Sequence, residues 1–578
     1  MEYSNISLLY PSCEDITFNE MSPSTFHDLG LDLIVQQITQ KESEQKLITG
    51  IMSKLTDNPA VAKYRIDVFD DIYNNPQMHD ELMEILDKIN FLKDYGSFSR
   101  RYNDGPSVWD LLHRLEEIYD YIASVEGIHE CLKNADIYSQ GLLDLKAFVE
   151  KVYSDQAFGQ LKKDIEACKA STKNLKSVTV GINLNEQFEA QEIGLISIND
   201  KAFTKSPLIS NFYEKLSGND IISDSTDWDE SMKFSPFTAS SDVIGSFEKL
   251  TNKSLFVSHP LLMSSLGSIP EGDSVNGVTY YMNSITNRLL SHTTKRLREI
   301  LNKYVTITIT DITNLIPEFI YYIKWAEYIA SLRENGAVFS KAKILTPVSD
   351  DATSEDFSFY NSSASGIYNI KLVAFDSKEH ADIITNDFSF SRENLCYILT
   401  GANRGGKTTI TQAIGQLFAL AQGGIYIPGD SFSFSPVDNI FTHFPADEDK
   451  TMDLGRLGEE CKRFKLMFNE ATPTSLLLLN ETFSTTSFEE GYYIAKDSVK
   501  AILHKGIRTI YNTHMHKLAF DIDELNASDI KGQAKSLVVI SDNGNRSYKI
   551  QVAPPIGQSY AKDIAEKYGV TYEMLTDD

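Results

Sequence analysis

The sequence predicts a multidomain protein: an α-helical first half followed by an α/β domain. Three observations carry this. Apolar residues recur at helical spacing from Leu29 to about Glu150, with Leu31, Ile34, Val35 and Ile38 at i, i+3, i+4 and i+7. From about Lys341 the pattern turns first β and then α/β to the end of the chain. Within that last part, Gly401-Ala402-Asn403-Arg404-Gly405-Gly406-Lys407-Thr408-Thr409 fits G-x-x-x-x-G-K-[ST], between an apolar run (395–399) and a helical stretch (410–420). At 578 residues the chain exceeds what one hydrophobic core organises.

Four segments follow from these patterns. Residues 1–25 are polar and irregular, an N-terminal tail. Residues 26–150 form an α-helical core, with further helical stretches at 83–91, 108–122 and 142–152. Residues 151–340 are helical with a small β insertion, where Val178, Val180, Ile182 and Leu184 alternate, as do Ile196 and Ile198. An acidic, Ser-rich stretch near 219–240 reads as a loop. Helical pattern returns from 275 to 333, with Pro317 as a boundary or kink, and Asn335-Gly336 closes it. Residues 341–578 form the α/β domain.

Composition narrows the setting. Five cysteines (13, 131, 168, 396, 461) are scattered and none forms a CxxC pair. That predicts reduced thiols in a cytoplasmic protein, with no disulfide or zinc framework. No apolar stretch approaches the roughly 18–20 residues of a membrane span. The opening Met1–Asn5 lacks a basic segment, so no secretory signal is expected. The formal charge of −27 opposes casual contact with nucleic-acid phosphates, although a site needs only a local basic surface. Two basic stripes qualify: Lys162, Lys163, Lys169, Lys173 and Lys176, and then Lys295, Arg296 and Arg298.

The Gly-rich run supplies the chemistry. Backbone N–H groups of such a loop and of the helix that follows converge on an anion, which the helix dipole also favours. Lys407 would reach the β- and γ-phosphates of ATP, and the Thr408 hydroxyl would ligate Mg²⁺. About seventy residues on, the run 475–479 ends in Asn480-Glu481, a hydrophobic strand leading into polar residues. Glu481 is the candidate general base that orients water. An aspartate is normal at the preceding position as a metal ligand. Asn480 offers an amide oxygen without charge, which predicts weaker Mg²⁺ affinity, slower hydrolysis, or both. A third strand-like run, 507–512, leads to His514, placed to sense the γ-phosphate.

With these residues in view, the segment 397–519 resembles the ATPase domain of the MutS family, the DNA mismatch-repair ATPases related to ABC transporters. The family's G-P-N-M-G-G-K-S-T aligns with 401–409, and its I-D-R-I-F-T with Val437-Asp438-Asn439-Ile440-Phe441-Thr442. Its D-E-x-x-x-G-T-S aligns with 480–487, and its A-T-H with Asn512-Thr513-His514. Ile384 and Asn386 fall in the segment that cradles the adenine, and Tyr64-Arg65 resembles a Y-R of the core helices. The resemblance implies an ABC-type ATPase, a lever or clamp region in 151–340, and a homodimer in which a signature segment caps the partner's ATP. That segment falls at Gly455 and Arg456, without the family's Ser-Thr pair. Phe18-Asn19-Glu20 matches an F-x-E wedge, but too few residues precede it for a mismatch-reading domain. The function implied is a nucleotide-driven dimeric clamp on mismatched, branched or duplex DNA. The alternative is a nucleotide-gated protein-interaction switch that touches no DNA.

Overall fold

The computed structural model describes residues 6–11, 16–85, 108–172, 177–184, 186, 190–199, 266–268, 315–345, 361–374, 383–391, 393–401, 405–445, 455–527, 530–542, 545–555 and 568–576. The chain forms two compact units, and each draws on separated stretches. One comprises Met1–Glu81, Asn134–Lys146 and Asn314–Asp578, and the other Leu82–Lys133 and Ala147–Thr313.

The first unit begins with strand β1 (Asn19–Glu20), helices α1 (Pro23–Asp28), α2 (Leu31–Ile38) and α3 (Glu42–Met52), strand β2 (Lys54–Leu55) and helix α4 (Pro59–Asn74). The starts of α1 and α4 are written locally. Ser22 accepts from Thr25 N and Asn58 accepts from Ala60 N, each with proline directly after the cap. The N-terminal stretch, expected as an irregular tail, is packed instead. Leu8 and Met21 are buried, and backbone groups of residues 7–9 find side-chain partners. Tyr64 donates to Ser7 O, Tyr322 to Leu8 O, and Arg65 Nε to Leu9 O. Phe18 stacks near Tyr10 and under the Arg65 guanidinium, so the F-x-E aromatic is a packing residue.

The second unit contains α5 (Val108–Asn134) up to Lys133, the part of α6 (Gln140–Ser154) from Ala147 on, and α7 (Gln156–Thr172). An antiparallel sheet follows: β3 (Ser177–Leu184), β4 (Ala190–Asn199) and β5 (Leu266–Ser268). The two alternating runs seen in the sequence are β3 and β4. Of the first basic stripe, Lys162 pairs with Glu126 and Lys169 with Glu116, and Lys169 also lies over the Tyr119 ring. Those cations are engaged within their own unit. Lys173, Lys176, Lys295, Arg296, Arg298 and the acidic loop at 219–240 lie outside the described residues.

The first unit resumes with α8 (Ile316–Glu334), which begins at Pro317 as a first-turn proline, so that residue marks a start and not a kink. Short strands β6 (Phe339–Ser340) and β7 (Lys343–Ile344) lead to β8 (Ser362–Ile367), α9 (Lys371–Ala374) and β9 (Asn386–Phe390). The α/β half then runs β10 (Cys396–Thr400), α10 (Lys407–Gln422), β11 (Ile427–Pro428), β12 (Ser431–Phe434), β13 (Ile440–His443), α11 (Gly455–Glu470), β14 (Leu476–Asn480), α12 (Phe488–Lys505), β15 (Arg508–Asn512), α13 (His516–Phe520), α14 (Ile522–Asn526), β16 (Ala534–Asp542), β17 (Asn545–Val552) and α15 (Tyr572–Thr576).

Six strands form the main sheet in the order β13-β14-β15-β10-β16-β17, parallel except for the antiparallel edge strand β17. β10, β14 and β15 are buried along their whole length, which is why they read as unbroken apolar runs. β10 sits between β15 and β16, both later in sequence, so a switch in strand order falls beside its carboxyl end. Ligands of open parallel sheets bind there. A four-stranded sheet, β7-β12-β8-β9, packs in the same unit. Helix α10 is buried almost throughout from Ile410 to Gln422, so its polar residues are all bonded. Gln416 donates to Leu29 O and accepts from Ile370 N, while Gln422 donates to Val437 O and Thr56 O. None of the four described cysteines, 131, 168, 396 and 461, forms a disulfide. Among the described residues no helix is long and apolar enough to cross a membrane.

Candidate nucleotide site

The carboxyl ends of three neighbouring strands bring the sequence-predicted residues together. β10 delivers Gly401, with α10 starting at Lys407; β14 delivers Asn480 and Glu481; β15 delivers Asn512 and leads to His514. Asn480 and Asn512 stand opposite each other in the β14–β15 register. The Glu481 N–H continues that ladder by donating to Asn512 O.

The loop geometry depends on two glycines. Gly401 has φ 144° and Gly406 φ 87°, both in the region that disfavours side chains. A Cβ at Gly401 would lie 2.9 Å from Val539 Cβ, and one at Gly406 would lie 3.2 Å from the Tyr548 ring. Gly405 and Gly406 lead into α10, whose first N–H groups receive no hydrogen bond from a cap side chain. Ala402, Asn403 and Arg404 lie outside the described residues. Thr409 follows on the first turn, and Asn369 Nδ2 donates to its carbonyl.

Lys407 is buried at the helix start, with Nζ donating to Gly401 O at 3.1 Å. Burial pushes its pKa down, and the Glu481 carboxylate partly opposes this. Glu481 pairs with His514 at 2.9 Å, its side chain 19% exposed and that of His514 48%. The Thr408 hydroxyl donates to Asn480 Oδ1 at 3.2 Å. Asn512 Nδ2 donates to the same oxygen and lies 3.4 Å from Thr408 Oγ1. Three described non-glycine residues have positive φ: Glu481, Phe483 and Tyr548. Two lie on the turn after β14, and the third sets its ring beside Gly406. Backbone strain collected around one locus is what a functional site retains.

Mg²⁺ demands close octahedral oxygen ligation and favours carboxylates. Thr408 and Asn480, the residues predicted to hold it, offer a hydroxyl and a neutral amide oxygen. An amide N–H₂ group already bonds to this pair of oxygens, and Glu481 is engaged by His514. The donor set does not fit the ion.

The predicted outlying residues are less central. Ile384 is exposed, while Asn386 is buried. The Asn386 side chain donates to Tyr548 O and accepts from Ile550 N, so it fastens the strand that carries Tyr548. Gly455 and Arg456 open α11, where Arg456 is exposed. Sequence reasoning assigned no role to Asn512, Tyr548 or His443. The asparagine standing where the family motif has alanine was the available signal for Asn512. For Tyr548 and His443 none existed, because long-range packing alone brings them here.

His443 ends β13, fully buried between Phe464 and Phe483. Its Nδ1 is 3.1 Å from Thr482 Oγ1 and its Nε2 3.3 Å from Glu460 O. In the neutral tautomer Nε2–H donates to the carbonyl, and the one Thr482 hydroxyl proton is shared between Nδ1 and His443 O, which lies 3.2 Å away. Thr485 Oγ1 also donates to Glu460 Oε2, so α11 is tied twice to the turn after β14. Burial, assisted by Arg463, lowers the His443 pKa to about 4. The unfolded imidazole binds its proton near 6.5, so the unfolded state holds more protons between the two values. Stability from this group is complete above about pH 6.5 and is lost as pH falls toward 4. Between pH 7.5 and pH 5 the loss is about 2 kcal/mol. Urea denaturation of the wild type and His443→Gln at both pH values should show that slope in the wild type and a smaller one in the variant.

Two family models match the chain. MutS domain V covers residues 397–577, which holds the whole loop-and-strand constellation, and the MutS2 N-terminal domain covers 57–335. Among curated relatives, a DNA mismatch repair protein MutS from Halothermothrix orenii is 24% identical over 489 residues, 80% of this chain and 51% of that protein. A DNA mismatch repair protein MutS from Chlorobium chlorochromatii is 30% identical over 196 residues, 33% of this chain and 22% of the relative. Endonuclease MutS2 from Thermus thermophilus is 26% identical over 196 residues, 34% of this chain and 25% of the relative. The chain thus spans about half or less of the length of these relatives. With one model on the helical region and another on the nucleotide-binding half, the chain belongs to the MutS family.

Proposed function

We propose that this chain is an ATP-binding, slowly hydrolysing clamp that acts on DNA as a homodimer in the cytoplasm. The observation that carries the nucleotide reading is the convergence of Lys407, Thr408, Glu481 and His514 at the ends of β10, β14 and β15. Lys407 and the N–H groups at the start of α10 hold phosphate oxygens. Glu481 orients the attacking water once nucleotide draws His514 from it, and His514 turns to the γ-phosphate. The Tyr548 ring lies against Gly406, where α10 begins. ABC-type sites are composite, so Arg456 at the head of α11 is proposed to approach a partner's nucleotide. Through His443 and Thr485, α11 would pass that contact to Glu481.

DNA, branched or duplex, is proposed from the relatives' names. The second reading, a nucleotide-gated protein-interaction switch, draws on the −27 charge and on Lys162 and Lys169 being engaged by Glu126 and Glu116. A gel-shift series across salt concentration, with and without ATP, separates the two. Phosphate contacts predict affinity that falls steeply as salt rises. Absence of binding to duplex, branched and single-stranded DNA at low salt would leave the protein-interaction reading.

A further inference from the structure

We propose that the Asn480–Asn512 amide pair takes the place of the divalent cation in this chain's phosphate site, so that nucleotide binds without Mg²⁺. The proposal rests on the nucleotide reading above. Three polar groups form a closed triangle: Thr408 Oγ1 and Asn480 Oδ1 at 3.2 Å, and Asn512 Nδ2 donating to Asn480 Oδ1 while lying 3.4 Å from Thr408 Oγ1. The two oxygens belong to the residues that would hold a cation, and an N–H₂ group is already directed at them. A cation entering the triangle would meet amide hydrogens carrying positive partial charge.

The orientation of the amides does not depend on which atom of each is called nitrogen. With Asn512 turned alone, two carbonyl oxygens would face each other at hydrogen-bond distance. With both turned, Asn480 would supply the N–H₂ group in the same triangle. Either way a donor occupies the shared space. The arrangement is also held firmly. Asn512 is fully buried and Asn480 is 6% exposed, at paired positions of adjacent central strands. Asn512 Oδ1 has no hydrogen-bond partner among the described residues. The side chain leaves a buried acceptor unpaired while its nitrogen is turned inward.

Two departures from the family motifs meet in this contact. Aspartate becomes Asn480, removing a negative charge, and alanine becomes Asn512, adding a donor beside it. Either change alone weakens a cation seat; together they fill it. Neutralising the triphosphate then falls to Lys407, the loop amides and the helix N-terminus, none of which needs a metal.

The test is isothermal titration of the full-length chain with ATP, in EDTA and in millimolar Mg²⁺. The expected result is a Kd that differs by less than about threefold between the two conditions. For Asn480→Asp combined with Asn512→Ala, Mg²⁺ should tighten binding at least tenfold. Titration of that variant with Mn²⁺ and ATP, followed by electron paramagnetic resonance, should show bound metal where the wild type shows none. Wild-type binding that weakens tenfold or more in EDTA overturns the proposal and leaves the nucleotide reading intact. Failure of ATP to bind in either condition overturns both. The wild-type comparison needs no substitution, so it decides even if the double variant does not fold.

Discussion

Lys407→Ala is expected to remove nucleotide binding while leaving the fold intact, and the two halves of that result have different causes. In the free protein Lys407 is a buried ammonium that burial alone disfavours, and only part of this is returned by the Glu481 carboxylate and the Gly401 carbonyl. Deleting it relieves desolvation, so thermal stability should hold or rise. With nucleotide present the same ammonium makes charge-assisted contacts to phosphate oxygens, each worth about 1.5–3 kcal/mol. Losing two such contacts costs about 3 kcal/mol or more, at least a hundredfold in Kd. If the metal seat is filled by an amide, Lys407 is the main cation at the phosphates, and the loss should be equally large in EDTA and in Mg²⁺. Titration with ATP alongside a thermal melt checks both parts. An unchanged Kd would show that phosphate does not bind at this loop.

What could be read from the sequence divides by the range of the interactions involved. Buried parallel strands announce themselves as unbroken apolar runs, so β10, β14 and β15 were legible, as was the loop between β10 and α10. The alternating strands β3 and β4 were legible for the complementary reason, a period of two. Residues whose partners lie tens to hundreds of positions away were not. Nothing local in residues 7–9 shows that Glu318, Tyr64, Tyr322 and Arg65 wait for their backbone groups. The same holds for Tyr548, which reaches Gly406 only because β17 folds back as an antiparallel edge. Asn480 lay between: its chemistry was plain from the motif, but its meaning depended on Asn512, which only the strand register places opposite it.

Arg508 is where long-range packing should carry the largest energetic consequence. It is fully buried at the start of β15, in a position that sequence alone would assign to an apolar residue. Its guanidinium donates to three backbone carbonyls from two separate connections: Ser435 at 3.0 Å, Pro436 at 3.3 Å and Thr474 at 2.8 Å. The Phe418 ring of α10 lies 5.6 Å beneath it. Those carbonyls belong to the chain entering β13 and β14, so one side chain fixes how two strands of the site begin. The planar fork can address several acceptors at once, whereas a lysine ammonium at the same depth reaches fewer. Arg508→Ala would open a cavity beside Phe418 and strip buried acceptors of their donor, at a cost of about 3–5 kcal/mol. Arg508→Lys should recover only part of this. Because β14 carries Asn480 and leads into Glu481, the alanine variant should also weaken ATP binding under conditions where it remains folded. Urea denaturation of both variants, with ATP titration below the transition, tests the claim. A loss under 1 kcal/mol for alanine would mean that the three carbonyls find water instead, and that Arg508 does not organise the strand starts.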